Sequence, residues 1–176
     1  MNAVIVYTSQ TGFTKKYADW LAESLKAEAI DLNTAKSKED SFFDKFDAVI
    51  YGGWANMGKV TGANWLLGKM DQWKGKKIAV FCVGASPMDG SHVDAMTDKV
   101  FTPEQSKYAK AFYCPGGLNY EKMSFGGKIA MKAFAAMMKK KKAETEADKF
   151  MAEKLSDSFD ISEKKYLDPI ISYINN

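Results

Sequence analysis

The sequence predicts an α/β fold: a doubly wound, five-stranded parallel sheet in the order 2-1-3-4-5, with extra helices at its C-terminal end. Three observations carry this. Apolar runs rich in β-branched and aromatic residues recur at 3–7, 47–53, 77–84 and 110–117. They are near-continuous rather than alternating, which marks strands covered on both faces. Segments of helical period stand between them, and right-handed crossovers leave few ways to wind five such strands.

Each element follows in order. The first strand is A-V-I-V-Y, residues 3–7, and it runs through a hydroxyl-rich loop into a helix over 15–26 with Ala18, Leu21, Ala22 and Leu25 on one face. Ala29-Ile30-Asp31-Leu32 fits a short edge strand. The strand at 47–53 opens on Asp47, a turn residue, and ends in Gly52-Gly53. A helix over 63–73 presents Ala63, Leu66, Leu67, Met70 and Trp73. After the strand at 77–84, Thr102-Pro103-Glu104-Gln105 reads as a capping box with Pro at the first helical position. The strand at 110–117 ends in Cys114-Pro115-Gly116-Gly117. A helix over 125–142 carries Phe125, Ile129, Ala130, Ala133, Phe134, Met137 and Met138 on one stripe, read as core packing. Gly126 and Gly127 weaken its start, by ~1 kcal/mol each relative to Ala. Thr145 is an N-cap for a further helix carrying Phe150, Met151 and Leu155, and 167–174 docks as a terminal helix or turn. The whole, 1–176, is expected to be one domain, with a core at about 3–120 and a helical part at about 121–176.

A chain of 176 residues can bury a core without staples. Cys82 and Cys114 lie far apart in apolar runs and read as buried reduced thiols. No basic n-region precedes a long apolar stretch, and no run approaches the ~18 apolar residues of a membrane span. A cytoplasmic protein is expected. The net charge of +3 is unevenly placed, with Lys122, Lys128, Lys132 and the block Lys139, Lys140, Lys141, Lys142 downstream and Glu39, Asp40, Asp44 and Asp47 in the first third. The block is read as a solvated helix end, whose lysines suit the dipole. Peripheral membrane contact through Lys139–Lys142 is the less favoured reading, and no nucleic-acid partner is expected. The single histidine, His92, reads as a solvated or capping residue. Nothing has metal-ligand spacing, and two distant cysteines do not make a zinc site. Ser9 and Ser86 have no His-Asp pairing, so serine hydrolysis is not expected and no catalytic residue is assigned. A phosphoreceiver domain shares this fold class, but the acidic pair after the first strand and the Asp ending the third are both absent.

The chemistry concentrates in three loops. In the 2-1-3-4-5 order the ligand crevice opens beyond the carboxyl ends of strands one and three. Thr8-Ser9-Gln10-Thr11-Gly12-Phe13-Thr14 lies at that mouth. Helix N-terminal amides, the hydroxyls of Ser9, Thr11 and Thr14, and the close approach allowed by Gly12 suit a phosphate. No lysine lies inside the loop, and neither G-x-x-x-x-G-K-[ST] nor G-x-G-x-x-G is present, which favours a single phosphomonoester. The competing reading is a Ser/Thr-rich turn that only caps a helix. The second loop, Gly52-Gly53-Trp54-Ala55-Asn56-Met57-Gly58-Lys59-Val60-Thr61-Gly62, offers Trp54 and Met57 as faces for a flat heteroaromatic ring. The third, Gly84-Ala85-Ser86-Pro87-Met88-Asp89-Gly90, is a small-residue loop at the same rim.

These three loops, in this order over roughly residues 3–120, resemble the flavodoxin family of FMN proteins. The resemblance implies FMN as cofactor. It implies that Ser9, Gln10, Thr11, Gly12, Phe13 and Thr14 hold the FMN phosphate. It also implies that Trp54, Ala55, Asn56, Met57 and Gly58, with Gly84, Ala85, Ser86, Pro87 and Met88, flank the isoalloxazine. Met57-Gly58 resembles the Met-Gly pair of short-chain flavodoxins, whose peptide flips to bond N5–H of the reduced flavin. Two departures stand out: flavodoxin carriers are usually strongly acidic whereas this chain has a pI near 8.6, and Lys59 stands where clostridial flavodoxins place an acid. Downstream, Tyr113-Cys114-Pro115-Gly116-Gly117-Leu118-Asn119-Tyr120 and the basic, Met-rich helix are loosely similar to flavodoxin-domain proteins of the menaquinone-dependent protoporphyrinogen oxidase type. The expected function is an electron carrier between protein or small-molecule partners. A quinone-linked oxidase and a non-redox binding module on the same fold are the alternatives.

Overall fold

A computed structural model describes residues 1–89, 93–140 and 142–176. Gly90, Ser91, His92 and Lys141 lie outside the described residues, and with them the reading of His92, the end of the third loop and one lysine of the basic block. The elements run β1 (Ala3–Tyr7), α1 (Phe13–Leu25), β2 (Glu28–Asp31), α2 (Leu32–Lys36), β3 (Ala48–Asn56), β4 (Lys59–Val60), α3 (Asn64–Leu67), β5 (Lys77–Gly84) and α4 (Val93–Thr97). They continue with β6 (Ala109–Pro115), β7 (Gly117–Leu118), α5 (Phe125–Lys140), α6 (Glu146–Lys154), β8 (Phe159–Asp160) and α7 (Asp168–Asn175).

The five long strands pair in the order β2-β1-β3-β5-β6, all parallel. This is the predicted 2-1-3-4-5 sheet, with its winding reversed between β1 and β3. Side chains alternate across it. Val4, Val6, Val49, Tyr51, Ile78, Val80 and Cys82 join one core with Phe43, Leu66, Met70 and Trp73. Ala3, Ile5, Ala48, Ile50, Ala79, Phe81, Val83 and Cys114 join the other with Tyr17 and Leu21 of α1 and Ile170 and Ile174 of α7. Burial of each large apolar side chain contributes roughly 1.5–3 kcal/mol, so both faces hold the sheet. Cys82 and Cys114 are free and buried, in cores on opposite faces.

Several elements depart from the sequence reading. The helix read over 63–73 is regular only at Asn64–Leu67. Beyond Gly68, a poor helix former, the chain proceeds in turns closed by bonds such as Lys69 N–H to Leu66 O and Trp73 N–H to Met70 O. Met70 and Trp73 are buried all the same. The capping box at Thr102 forms, with Thr102 N–H donating to Gln105 Oε1 at 3.0 Å and Gln105 N–H to Thr102 Oγ1 at 3.3 Å. It starts only a 3₁₀ turn, Gln105–Lys107; the helix of this crossover is α4. The 125–142 helix ends, as described, at Lys140, and its stripe is not one core face. Ala135 and Met138 are buried, while Phe125, Ile129 and Met137 are exposed. Thr145 caps α6 with the full reciprocal box. Among the described residues no helix is long and apolar enough to cross a membrane.

Candidate functional site at the carboxyl rim of the sheet

Because the strands are parallel, the segments that follow β1, β3, β5 and β6 leave the sheet at one rim. The first is the hydroxyl loop. Thr8 N–H donates to Gly52 O at 2.9 Å, which ties the loop to β3. Gly12 then turns at φ 103°, in the left-handed region that glycine occupies without a Cβ clash. Its N–H donates to Ser9 Oγ at 3.2 Å, and its carbonyl accepts from Lys16 N–H at 2.9 Å. α1 thus begins at Phe13, two residues before the predicted start, and Thr14 falls in its first turn.

The hydroxyls do not cap this helix. Ser9 braces the N-cap residue Gly12, but no side chain accepts from the first-turn amides of α1 among the described residues. The N–H groups of Gln10, Thr11, Phe13 and Thr14 donate to nothing among the described residues. Thr14, in the first turn of α1, is 2% exposed. Unpaired amides at the positive end of a 13-residue helix are suited to hold an anion.

The second segment is not the open loop read from sequence. β3 continues through Trp54, Ala55 and Asn56, and pairs antiparallel with β4 at Ala55–Val60 and Asn56–Lys59. Met57 and Gly58 are the two-residue turn, at φ 48° and 77°. Positive φ at both positions is a type I′ hairpin, whose hand matches strand twist. A non-glycine residue there costs roughly 1–2 kcal/mol, yet the Met57 side chain is 97% exposed and gains no packing. Strain without compensating burial is the pattern of functional turns. Gly53 is needed beneath the hairpin: a Cβ would lie 2.3 Å from Thr61 O.

The third segment is locked from below. Tyr113 Oη accepts from Ser86 N–H at 3.0 Å and donates to Ser86 O at 2.9 Å. A Cβ on Gly84 would lie 2.3 Å from the same oxygen. Burial pushes the Tyr113 phenol up, so it stays protonated and able to hold both bonds. Ser86 Oγ and Thr61 Oγ1 are buried with no partner among the described residues. Trp54 sits opposite Val83 in the β3–β5 register, so the hairpin and the 84–88 segment rise side by side.

The C-terminal part completes the rim over the first loop. Ile161 N–H donates to Gly116 O at 2.8 Å, and β7 pairs with β8. Lys16 Nζ meets Asp160 Oδ2 and Ser162 Oγ, both at 2.7 Å. Burial alone would raise the Asp160 pKa, but the bonds from Lys16 and Ser162 outweigh it and hold the carboxyl below its usual range. Tyr17 Oη donates to Pro115 O and accepts from Glu163 N–H, stitching α1 to both. A cavity of about 440 Å³ opens here, lined by Thr11, Gly12 and Phe13, by Lys16, and by residues 118, 119, 122 and 158–160. It includes none of residues 54–58 or 84–88.

Lys122, Asn119 and Asp160 were not read as site residues from sequence, where Lys122 counted only toward a basic tract. Nothing in the local sequence links position 122 to position 12; the contact is made by the fold. Among the described residues no cluster of three His, Cys, Asp or Glu side chains is placed to hold a metal.

The sequence profile of the flavodoxin domain matches residues 4–148. No curated protein matches the chain. Among solved structures, a flavodoxin, WrbA-like protein of Agrobacterium tumefaciens is 19% identical, with 87% of this chain and 98% of that one covered and a TM-score of 0.47. Oxidised flavodoxin 1 of Bacillus cereus is also 19% identical, covering 65% of this chain and 86% of its own at a TM-score of 0.43. A Lactobacillus acidophilus flavoprotein in complex with FMN is 16% identical, covering 64% and 90% at 0.42.

Proposed function

This chain belongs to the flavodoxin domain family, and from that premise we propose that it is an FMN-binding redox protein that carries electrons between partners. One observation supports this above the rest: four amides unpaired among the described residues stand together at the start of α1, at the mouth where the sheet's winding reverses. That cradle suits a phosphomonoester, and residues 9–14 are assigned to hold the FMN phosphate. Residues 54–58 and 84–88, side by side on the same rim, are assigned to the ring. Bound flavin supplies one- and two-electron chemistry; the protein positions it and tunes its potentials. The Ser86 hydroxyl, in the 84–88 segment and without a partner among the described residues, is a polar group that such a ring would satisfy. The exposed Met57-Gly58 turn, free to change its peptide orientation, is the tuning element.

The test is the absorbance spectrum of the purified full chain during stepwise dithionite reduction. Carriage of single electrons predicts bound flavin at one per chain and two resolved reduction steps. A colourless protein that takes up no FMN would instead select a non-redox binding module. A second reading, a quinone-linked oxidase, draws on the exposed Phe125, Ile129 and Met137 of α5 beside its lysines. Turnover of reduced flavin by an added quinone, without a protein acceptor, would select it.

A further inference from the structure

A phosphate cradle made only of amides and hydroxyls would leave its anion's charge uncompensated, and here a cation stands over it. The Nζ of Lys122 lies 4.0 Å from where a Cβ on Gly12 would sit, at the residue that opens α1. Its backbone is fixed by a local turn, with Lys122 N–H donating to Asn119 Oδ1 at 3.1 Å. Tyr120 N–H donates to Ser158 Oγ at 2.9 Å, which anchors that turn to the segment leading into β8. Two lysines line the cavity above the loop, and they differ. Lys16 is neutralised by Asp160 at 2.7 Å, whereas Lys122 forms no ion pair among the described residues. One cation beside the loop is therefore left without a charge partner among the described residues.

Resting on the reading that residues 9–14 hold a phosphomonoester, we infer that Lys122 is the charge partner of that phosphate and selects the phosphorylated flavin over the unphosphorylated one. The C-terminal part thereby takes a share in the cofactor site: β7, β8 and the turn at 119–122 deliver from far along the chain a lysine that the loop itself lacks. An ammonium is suited to this as a point charge on a flexible stem, reaching a dianion without demanding one geometry.

The experiment titrates the full-length apoprotein with FMN, riboflavin and inorganic phosphate at low and high salt, for the wild type, Lys122→Met and Lys122→Arg. A charge-assisted contact of this kind predicts a loss of FMN affinity of about tenfold or more in Lys122→Met. Riboflavin affinity is unchanged, Lys122→Arg retains most of the wild-type value, and FMN binding by Lys122→Met loses salt sensitivity. Inorganic phosphate competes with FMN on the wild type and more weakly on the Met variant. A wild type that binds neither flavin overturns the cofactor reading, and this inference falls with it. A wild type that prefers FMN, with a Lys122→Met variant of undiminished preference and salt dependence, overturns the role of Lys122 alone. Because Lys122 is exposed, the variant keeps its fold, and unchanged riboflavin affinity verifies that.

Discussion

The loop at residues 8–14 and the hairpin at 54–60 leave the same rim from adjacent strands, yet they are built for different work. The loop is anchored: Thr8 is bonded to β3, Gly12 is braced by Ser9, and Thr14 is buried. Its free amides have no partner among the described residues. The hairpin is the reverse. Its ladder is fully paired, while its tip carries a strained, exposed Met57 and a Gly58 with open space around it. The contrast separates binding from tuning. On the proposed reading, a preorganised, unsatisfied cradle supplies affinity, and a turn held near the edge of its allowed backbone region supplies an adjustable contact.

Substitutions at the two ends should therefore break different properties. The largest effect is expected at the loop. Gly12→Val puts a β-branched residue at φ 103°, at a cost of roughly 1–2 kcal/mol in the fold, and it disorders the amides on both sides. FMN affinity should fall by about a hundredfold, read by fluorescence titration beside a urea melt. Retained affinity would show that the loop does not grip the phosphate. At the hairpin, Gly58→Val meets no neighbouring atom, so its cost of roughly 1–2 kcal/mol is confined to the turn's backbone. Affinity should hold within a few-fold while the two one-electron potentials move together; unchanged potentials would count against a tuning role for Met57-Gly58.

Lys59→Glu is a smaller perturbation, since Lys59 is exposed on β4 and screened. Exchanging a cation for an anion near the ring should make the second-electron potential more negative, on the order of 50 mV. An unchanged potential would refute that electrostatic coupling. The smallest expected effect is the control for all three. Burial pushes the Cys82 thiol up to about 12 and raises that of Cys114 as well. A folded-state value above the ordinary 9.0 means stability is fully present below that pH and is lost as pH rises toward 12. Both thiols should resist an aromatic disulfide reagent at pH 8 until the chain unfolds. A rim variant whose thiols react in native buffer has opened the sheet, and its binding data would not report on the rim.

The sheet was legible because burial on both faces writes itself as continuous apolar runs; 77–84 matches β5 to the residue. The hydroxyl loop was legible because hydroxyl residues and one glycine stand together between an apolar run and a segment of helical period. What escaped has physical causes. The hairpin was hidden because Met-Gly lacks the Asn-Gly or Asp-Gly signature of a type I′ turn, although both its residues adopt positive φ. Phe125, Ile129 and Met137 share a helical stripe, but periodicity does not say whether another element covers it, and none of the described residues does. β8 is two residues long and pairs across the chain with β7, leaving no local pattern. Lys122 illustrates the limit most plainly: its neighbour in space is more than a hundred residues away.

The central claim is that the backbone of residues 9–14 holds the phosphate of a bound flavin, and amide nuclear magnetic resonance of the uniformly ¹⁵N-labelled full chain tests it most directly. On addition of FMN, the largest shifts should fall on the amides of Gln10, Thr11, Gly12, Phe13 and Thr14, and riboflavin should leave those five nearly unmoved while still perturbing residues 54–58 and 84–88. Flavin binding that shifts other amides and leaves these five in place would contradict the account.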